Sequence, residues 1–87
     1  MEKSEIATDL RGFIRREFGV PKDDPDFNDD VDLFNYGYVD SFGAVELTGF
    51  IESRFAIKFT NSDWSDHPLN TINQLSEFVA KRQKEKH

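Results

Sequence analysis

The stretch Gly37-Tyr38-Val39-Asp40-Ser41-Phe42 decides the fold of this chain, because a turn and the start of a helix meet in it. The residues from Phe42 onward are apolar at helical spacing: Phe42, Val45, Leu47, Phe50, Ile51 and Phe55. This pattern predicts a helix over about 41–55, with Ser41 at its N-terminus. A phosphate attached there would meet unpaired backbone N–H groups and the positive end of the helix dipole. Asp and Ser are also the commonest helix caps, and on spacing alone the cap is the favoured interpretation.

Before this stretch, residues 4–18 have the pattern of an amphipathic helix, with apolar side chains at Ile6, Leu10, Phe13, Ile14 and Phe18. Gly19 is a natural stop, and Pro21 and Pro25 disfavour continuation. A long connection over 21–39 follows, and we expect its scattered aromatic residues to pin it across the helices. Asp24, Asp26 and Asn28 match the first places of a calcium loop, but the sixth and twelfth places lack the glycine and glutamate that such a loop needs.

After the central helix, residues 60–64 predict one short helical turn in which Trp64 is a core anchor. Gly49, inside the central helix, is expected either to permit close helix contact or to leave space in the core. Thr71 caps a final helix with apolar positions at Ile72, Leu75, Phe78 and Val79. The prediction is a single all-α domain, a four-helix bundle of three main helices and one short helix, with a long loop between helices one and two. Its core spans about residues 4–80, and the basic tail 81–87 is expected to fray.

The composition of the chain restricts the possible functions. With 87 residues and no cysteine, the chain is a poor candidate for a self-contained catalyst and has no zinc–thiolate site or cysteine nucleophile. No apolar run is long enough for a membrane span and none suggests a signal peptide, so a cytoplasmic location is expected. The net charge is −6, and residues 20–78 hold twelve acids against three bases. Such a surface disfavours nucleic acid and favours basic protein partners.

Two catalytic or metal-binding interpretations are weak. Residues 39–43 half-match the nucleophile elbow of serine hydrolases, but the first glycine and a supporting sheet are missing. The two histidines, His67 and His87, lie in unrelated contexts, and the acids are not at metal-ligand spacing.

Several positions together resemble the acyl carrier protein family over nearly the whole chain. They are Leu33-Phe34, Gly37, Asp40-Ser41-Phe42, Val45-Glu46-Leu47, Glu52, Phe55, Ile57, Thr71-Ile72 and Leu75. The resemblance implies that Ser41 receives 4'-phosphopantetheine from coenzyme A, and that Asp40 helps to position the transferase's magnesium ion and the serine. The resemblance to the family favours a modified Ser41 over an Asp-Ser pair that only caps the helix. The arm would supply the sulfur that this chain lacks.

The resemblance also implies partners for the chain. Glu46 and Glu52 match positions on the acidic helix that docks to basic patches of a phosphopantetheinyl transferase, a loading ligase and a downstream acyltransferase or synthase. Phe42, which stands in place of the family's usual leucine, is also expected to contact partners. A monomer is expected, without membrane insertion and without catalytic activity of its own.

Departures from the family pattern bear on the pathway. Gly43, Ser53 and Arg54 stand where fatty-acid carriers continue the acidic face, so recognition by housekeeping fatty-acid enzymes is not expected. The chain is more similar to D-alanyl carrier proteins and to stand-alone carriers of specialised pathways. The hypothesis is a carrier of an acyl or aminoacyl thioester, for a pathway of fatty-acid, polyketide, nonribosomal-peptide or D-alanylation type. The alternative is an unmodified carrier-like domain that binds a basic partner through its acidic surface.

Overall fold

The computed structural model describes residues 1–85, and these residues form helices without strands. The helices are α1 (Lys3–Phe18), α2 (Ser41–Phe55), α3 (Asp63–Asp66) and α4 (Ile72–Glu85). This confirms the predicted all-α fold of three main helices, one short helix and a long first connection. No helix in the described range 1–85 is both long and apolar enough to cross a membrane.

Helices α1 and α4 form the most extensive helix–helix interface, and α2 packs on α4 through a smaller one. Helix α1 begins with a reciprocal capping box between Glu2 and Glu5 and ends at Gly19, as predicted. Its buried residues, Ile6, Ala7, Leu10, Phe13 and Ile14, all belong to the hydrophobic core. The apolar spacing of the sequence therefore identifies the buried face of α1 correctly.

The connection between α1 and α2 has no regular secondary structure, yet it is firmly attached. Phe27, Val31, Leu33 and Val39 are buried in the core, as the scattered apolar residues predict. Tyr36 is the exception, because 63% of its surface is exposed.

Hydrogen bonds tie this connection to α1 and to the start of α4. Arg11 on α1 donates from Nη1 to Asp29 Oδ2 at 2.7 Å and to Oδ1 at 2.8 Å. On the other side, Asn73 N on α4 donates to Asp29 O at 3.0 Å, and Leu33 N donates to Asn70 O at 2.8 Å. The segment that leads to Ser41 is therefore held between α1 and the start of α4.

Helix α4 begins and ends for different reasons. Thr71 Oγ1 accepts from Gln74 N at 3.0 Å, which confirms the predicted cap. The expected fraying from residue 81 onward differs from the structure, where α4 continues through Glu85. Arg82 Nη1 donates to Lys58 O at 2.8 Å, and Gln83 Nε2 donates to Phe55 O at 3.2 Å, so the last turns of α4 are fastened to the end of α2. The expectation for residues 86 and 87 lies outside the described residues.

A buried ion pair also joins α3 to α4. Asp63 is only 4% exposed, and its two carboxylate oxygens accept from Arg82 Nη2 at 3.0 Å and from Nη1 at 3.2 Å. Thr60 N donates to the same carboxylate at 2.6 Å. The hydrogen bonds from Arg82 lower the pKa of Asp63, and burial opposes this only in part. Trp64, the next residue, stacks on Phe59 with ring centroids 5.5 Å apart, in keeping with its predicted role as an anchor.

Candidate functional site

Ser41 is the first residue of α2 and its surface is exposed. Asp40, immediately before it, is the N-cap: its Oδ1 accepts from Gly43 N at 2.7 Å, and its carbonyl oxygen accepts from Ala44 N at 2.8 Å. The capping role predicted for the Asp-Ser pair therefore belongs to Asp40. The Ser41 hydroxyl is left at the surface, at the positive end of a helix of 15 residues.

The residues before Ser41 fix the direction in which the chain enters α2. Val39 is buried, and its N–H donates to Leu33 O at 3.0 Å. Gly37 has φ 79°, a left-handed conformation that glycine adopts without steric cost, and its N–H donates to Phe34 O at 3.1 Å. The turn predicted from Gly37 is thus anchored beside the core.

Gly43 lets the start of α2 approach the end of α1 closely. A Cβ atom at this position would lie 2.8 Å from Phe18 Cε1 and 3.1 Å from Val39 Cγ1. No side chain fits there without a shift of its neighbours. From the sequence, Gly43 is expected to replace an acid on the exposed acidic face of the helix, whereas the residue is buried.

The first turn of α2 suits an anion on Ser41. The N–H groups of Gly43 and Ala44 are satisfied by Asp40, while those of Ser41 and Phe42 precede the first intrahelical bond. The first turn contains no acidic residue. A phosphoryl group on the Ser41 hydroxyl would therefore meet backbone donors and the helix dipole, with Asp40 as the one adjacent carboxylate.

The apolar residues of α2, which the sequence shows as one series at helical spacing, form two faces. Leu47, Ile51 and Phe55 are buried, but Phe42 is 83% exposed and Val45 is 73% exposed. Phe42 and Val45 share an outward face because they are three residues apart. Neither of the two roles expected for Gly49 is found, because Gly49 is exposed and a Cβ atom there would meet nothing within 4 Å.

The two acids predicted to bind partners differ in their exposure and in their hydrogen bonds. Glu46 is exposed on α2. Glu52 is half-buried, and its Oε2 accepts from Phe59 N at 2.9 Å, so it braces the segment after α2. Sequence reasoning missed two exposed apolar residues near the start of α2, Val45 and Tyr36. The exposure of Val45 could have been inferred from the sequence, because Val45 does not belong to the i, i+4 series of Leu47 and Ile51.

The acids of the long connection bond to the chain itself. Asp24 Oδ1 accepts from Asp26 N at 2.9 Å, and Asp24 Oδ2 accepts from the hydroxyl of Tyr38 at 3.0 Å. Burial, followed by the hydrogen bond to Asp24, raises the pKa of Tyr38 to about 12. Within residues 1–85, no three His, Asp or Glu side chains are grouped so that they could hold a metal ion.

Comparison with known proteins identifies the family. The family model described as the phosphopantetheine attachment site matches residues 8–79. The chain is similar to the D-alanyl carrier protein of Bacillus velezensis, with 42% identity over 82 residues that cover 88% of this chain and 97% of that protein. It is also similar to the D-alanyl carrier protein of Bacillus subtilis, with 46% identity over 55 residues that cover 58% of this chain and 69% of the relative. With an exposed serine at the N-terminus of α2 and a match over most of its length, the chain belongs to the acyl carrier protein family, whose members carry 4'-phosphopantetheine.

Proposed function

We propose that this chain carries an aminoacyl group, of which D-alanyl is the first candidate, as a thioester on a 4'-phosphopantetheine arm attached to Ser41. The observation that carries the proposal is the exposed hydroxyl of Ser41 at the N-terminus of α2. The neighbouring residue Asp40 caps this helix, so the hydroxyl is not needed for capping. Support for D-alanyl comes from the similarity to D-alanyl carrier proteins of two Bacillus species. The cargo would pass between enzymes that perform the chemistry, and the chain itself would act as their substrate.

The residues around Ser41 fit the phosphate end of the arm. Backbone donors at the start of α2 face the position of the phosphoryl group, and Asp40 fixes this turn through Gly43. The bound arm supplies a thiol for thioester formation, which the cysteine-free chain cannot provide. This chain's own part is to present the arm at an exposed point at the start of a helix.

Asp40 has a second carboxylate oxygen available for the modification step. Oδ1 accepts the N–H of Gly43, while Oδ2 has no hydrogen-bond partner among residues 1–85. In our proposal, Oδ2 contributes to the magnesium site of the phosphopantetheinyl transferase and so helps to align Ser41. Carboxylate oxygens are ligands that magnesium accepts in phosphoryl-transfer sites.

The proposed partner surface is the outward face of α2, formed by Phe42, Val45 and Glu46. We define these three residues as the docking face. Two exposed apolar side chains beside a carboxylate fit a partner with an apolar pocket and a basic rim. The transferase, a loading ligase and a downstream acyltransferase would use it in turn. Glu52 contributes less to this face, because its carboxylate already accepts from Phe59 N.

Intact-protein mass spectrometry tests the proposal directly. The protein is incubated with coenzyme A, magnesium and a broad-specificity phosphopantetheinyl transferase, and Ser41→Ala is the matched control. The expected result is the mass gain of one phosphopantetheine on the wild type and none on the variant. Circular dichroism verifies that both proteins are folded.

The absence of a mass gain on the wild type would contradict the proposal. If folded wild-type protein gains no mass with several transferases, the attachment role of Ser41 is wrong. The chain would then be an unmodified interaction domain, and binding of a basic partner would survive the Ser41→Ala change.

A further inference from the structure

An open groove of about 480 Å³ runs between α1 and α2, with the core residue Phe13 in its lining. The lining residues come from one face of each helix: Phe13 and Glu17 from α1, and Glu46, Phe50, Ser53 and Arg54 from α2. The groove therefore combines an aromatic floor with charged walls.

The carboxylates of the groove are available to a ligand. The side chain of Glu46 makes no ion pair or hydrogen bond with any part of the chain that the structure describes. Glu17 has only a distant contact, 4.0 Å from Arg16 Nε. Arg54, the cation at the other end of the groove, lies 2.8 Å from Asp9 Oδ2 and is paired with it. The charge left for a ligand at the Glu17 and Glu46 end is negative.

The aromatic floor favours the same kind of ligand. Phe13 and Phe50 stack with their centroids 4.1 Å apart and an interplanar angle of 14°. Phe50 is only half-buried, so part of this pair faces the groove. The two stacked ring faces cover each other, so a ligand in the groove meets the exposed part of Phe50 as apolar surface beside the carboxylates. A small ammonium ion with an apolar substituent matches both features.

The groove lies within reach of a group attached to Ser41. Glu46 and Phe50 follow Ser41 by five and nine residues on the same helix, a rise of about 8 to 14 Å. Between the Ser41 oxygen and its sulfur, phosphopantetheine has about as many bonds as five residues of extended backbone, or roughly 17 Å. Glu46 and Phe50 lie about 140° and 180° around the helix axis from Ser41, so an arm that passes over the N-terminal end of α2 can bring its end to Glu46 without a change in the fold.

We propose that the groove between α1 and α2 binds the ammonium group of the aminoacyl cargo, with Glu17 and Glu46 as counter-ions and the Phe13–Phe50 pair as the floor. The inference rests on the proposed function, since it needs an arm on Ser41. It adds a reason for cargo choice: an acyl group without the ammonium gains nothing from the two carboxylates. The carrier itself would then distinguish aminoacyl from simple acyl cargo.

The test compares two nearly isosteric cargoes by NMR. Coenzyme A analogues that end in a stable D-alanyl amide or in an isobutyryl amide are installed on Ser41 by the transferase. The two differ in that an ammonium group replaces a methyl group. The amide signals of Glu46, Phe50 and Ser53 are then compared with those of protein carrying the unloaded arm.

We expect the D-alanyl arm to shift these signals and the isobutyryl arm to leave them close to the unloaded state. The double change Glu17→Gln and Glu46→Gln should reduce the D-alanyl shifts by more than half. Glu77→Gln, an exposed acid of α4 outside this groove, is the matched control and should leave them unchanged. Added salt should also weaken the shifts, because the carboxylates are exposed.

Equal shifts from both cargoes, or no shift from either, overturn the ammonium site. These outcomes leave the proposed function intact, because mass spectrometry of the same samples shows whether the arm is attached. A folded wild-type protein that accepts no arm overturns both proposals, since no cargo would then reach the groove.

Discussion

At the start of α2, Asp40 and Ser41 have separate roles although they are neighbours. Asp40 accepts the N–H of Gly43, whereas Ser41 is exposed and lies at the first helical position. We predict that Asp40→Ala lowers the free energy of unfolding by about 1 kcal/mol, the usual loss for an N-cap. Ser41→Ala should change it by less than about 0.5 kcal/mol, as for other exposed positions. Urea denaturation of the two variants measures the difference, and equal losses would assign a capping role to Ser41 as well.

The two glycines of α2 should respond in opposite ways to replacement by alanine. Gly43→Ala should lower the free energy of unfolding by about 1–3 kcal/mol, because the new Cβ meets Phe18 and Val39. Gly49→Ala, on the exposed side of the same helix, should raise it by about 1 kcal/mol through helix propensity. The midpoints of thermal and urea denaturation should therefore be lower than those of the wild type for Gly43→Ala and higher for Gly49→Ala. A stabilising Gly43→Ala would mean that the ring of Phe18 moves aside freely.

Phe42 and Val45 show why the sequence did not distinguish the core from the surface of α2. Both are apolar, and both lie close in sequence to Leu47 and Ile51, which are buried. Helical periodicity identifies faces but does not say which of two apolar faces is covered by other helices. The family resemblance pointed to Ser41 and Phe42, whereas the exposure of Val45 needed the packed structure.

Among the secondary-structure elements, α3 and α4 are coupled by the Asp63–Arg82 pair. The pKa of Asp63 is lowered in the folded state, so the pair contributes stability above the ordinary pKa of an aspartate. That contribution is lost as the pH falls below about 4 and Asp63 becomes protonated. We predict that Arg82→Gln lowers the free energy of unfolding at neutral pH by about 1.5–3 kcal/mol, the range for hydrogen bonds to a charged group.

The pH dependence provides the check on this prediction. The difference between wild type and Arg82→Gln should shrink as unfolding is measured at progressively lower pH. Lys84→Gln is a control on the same helix, because Lys84 is exposed. A difference that stays constant through the acid range would show that Arg82 stabilises the fold through its hydrogen bond to Lys58 O and its contact with the Phe78 ring, 4.6 Å away, and not through Asp63.

Helix boundaries were predictable where the signal is local. Gly19 ends α1, and Thr71 with Gln74 begins α4, and in each case the residues at the boundary carry the physical reason. The end of α4 was not predictable in this way. Its last turns persist because Arg82 and Gln83 bond to residues that lie more than twenty positions earlier in the chain. Such tertiary contacts leave no periodic trace in the sequence.

On the scale of the whole molecule, the net charge of −6 and the apolar docking face should affect different kinetic steps. We predict that the association rate with a phosphopantetheinyl transferase falls as salt rises, because long-range attraction to a basic partner is screened. The Phe42→Ala variant should instead raise the dissociation rate, since it removes apolar contact area. Surface plasmon resonance at several salt concentrations separates the two effects. A dissociation rate unaffected by Phe42→Ala would exclude this residue from the docking face.

The unequal helix interfaces also determine where the native protein opens first. Helices α1 and α4 share the larger interface, and α2 contacts α4 through a smaller one. Sub-global opening favours elements with few buried contacts, so of the three long helices α2 should detach while α1 and α4 remain paired. We predict that, among these three helices, native-state hydrogen exchange is faster in α2 than in α1 and α4. The segment that enters α2 stays fixed through Asp29 during this opening, so a partner enzyme could remodel the modification helix without unfolding the rest of the carrier.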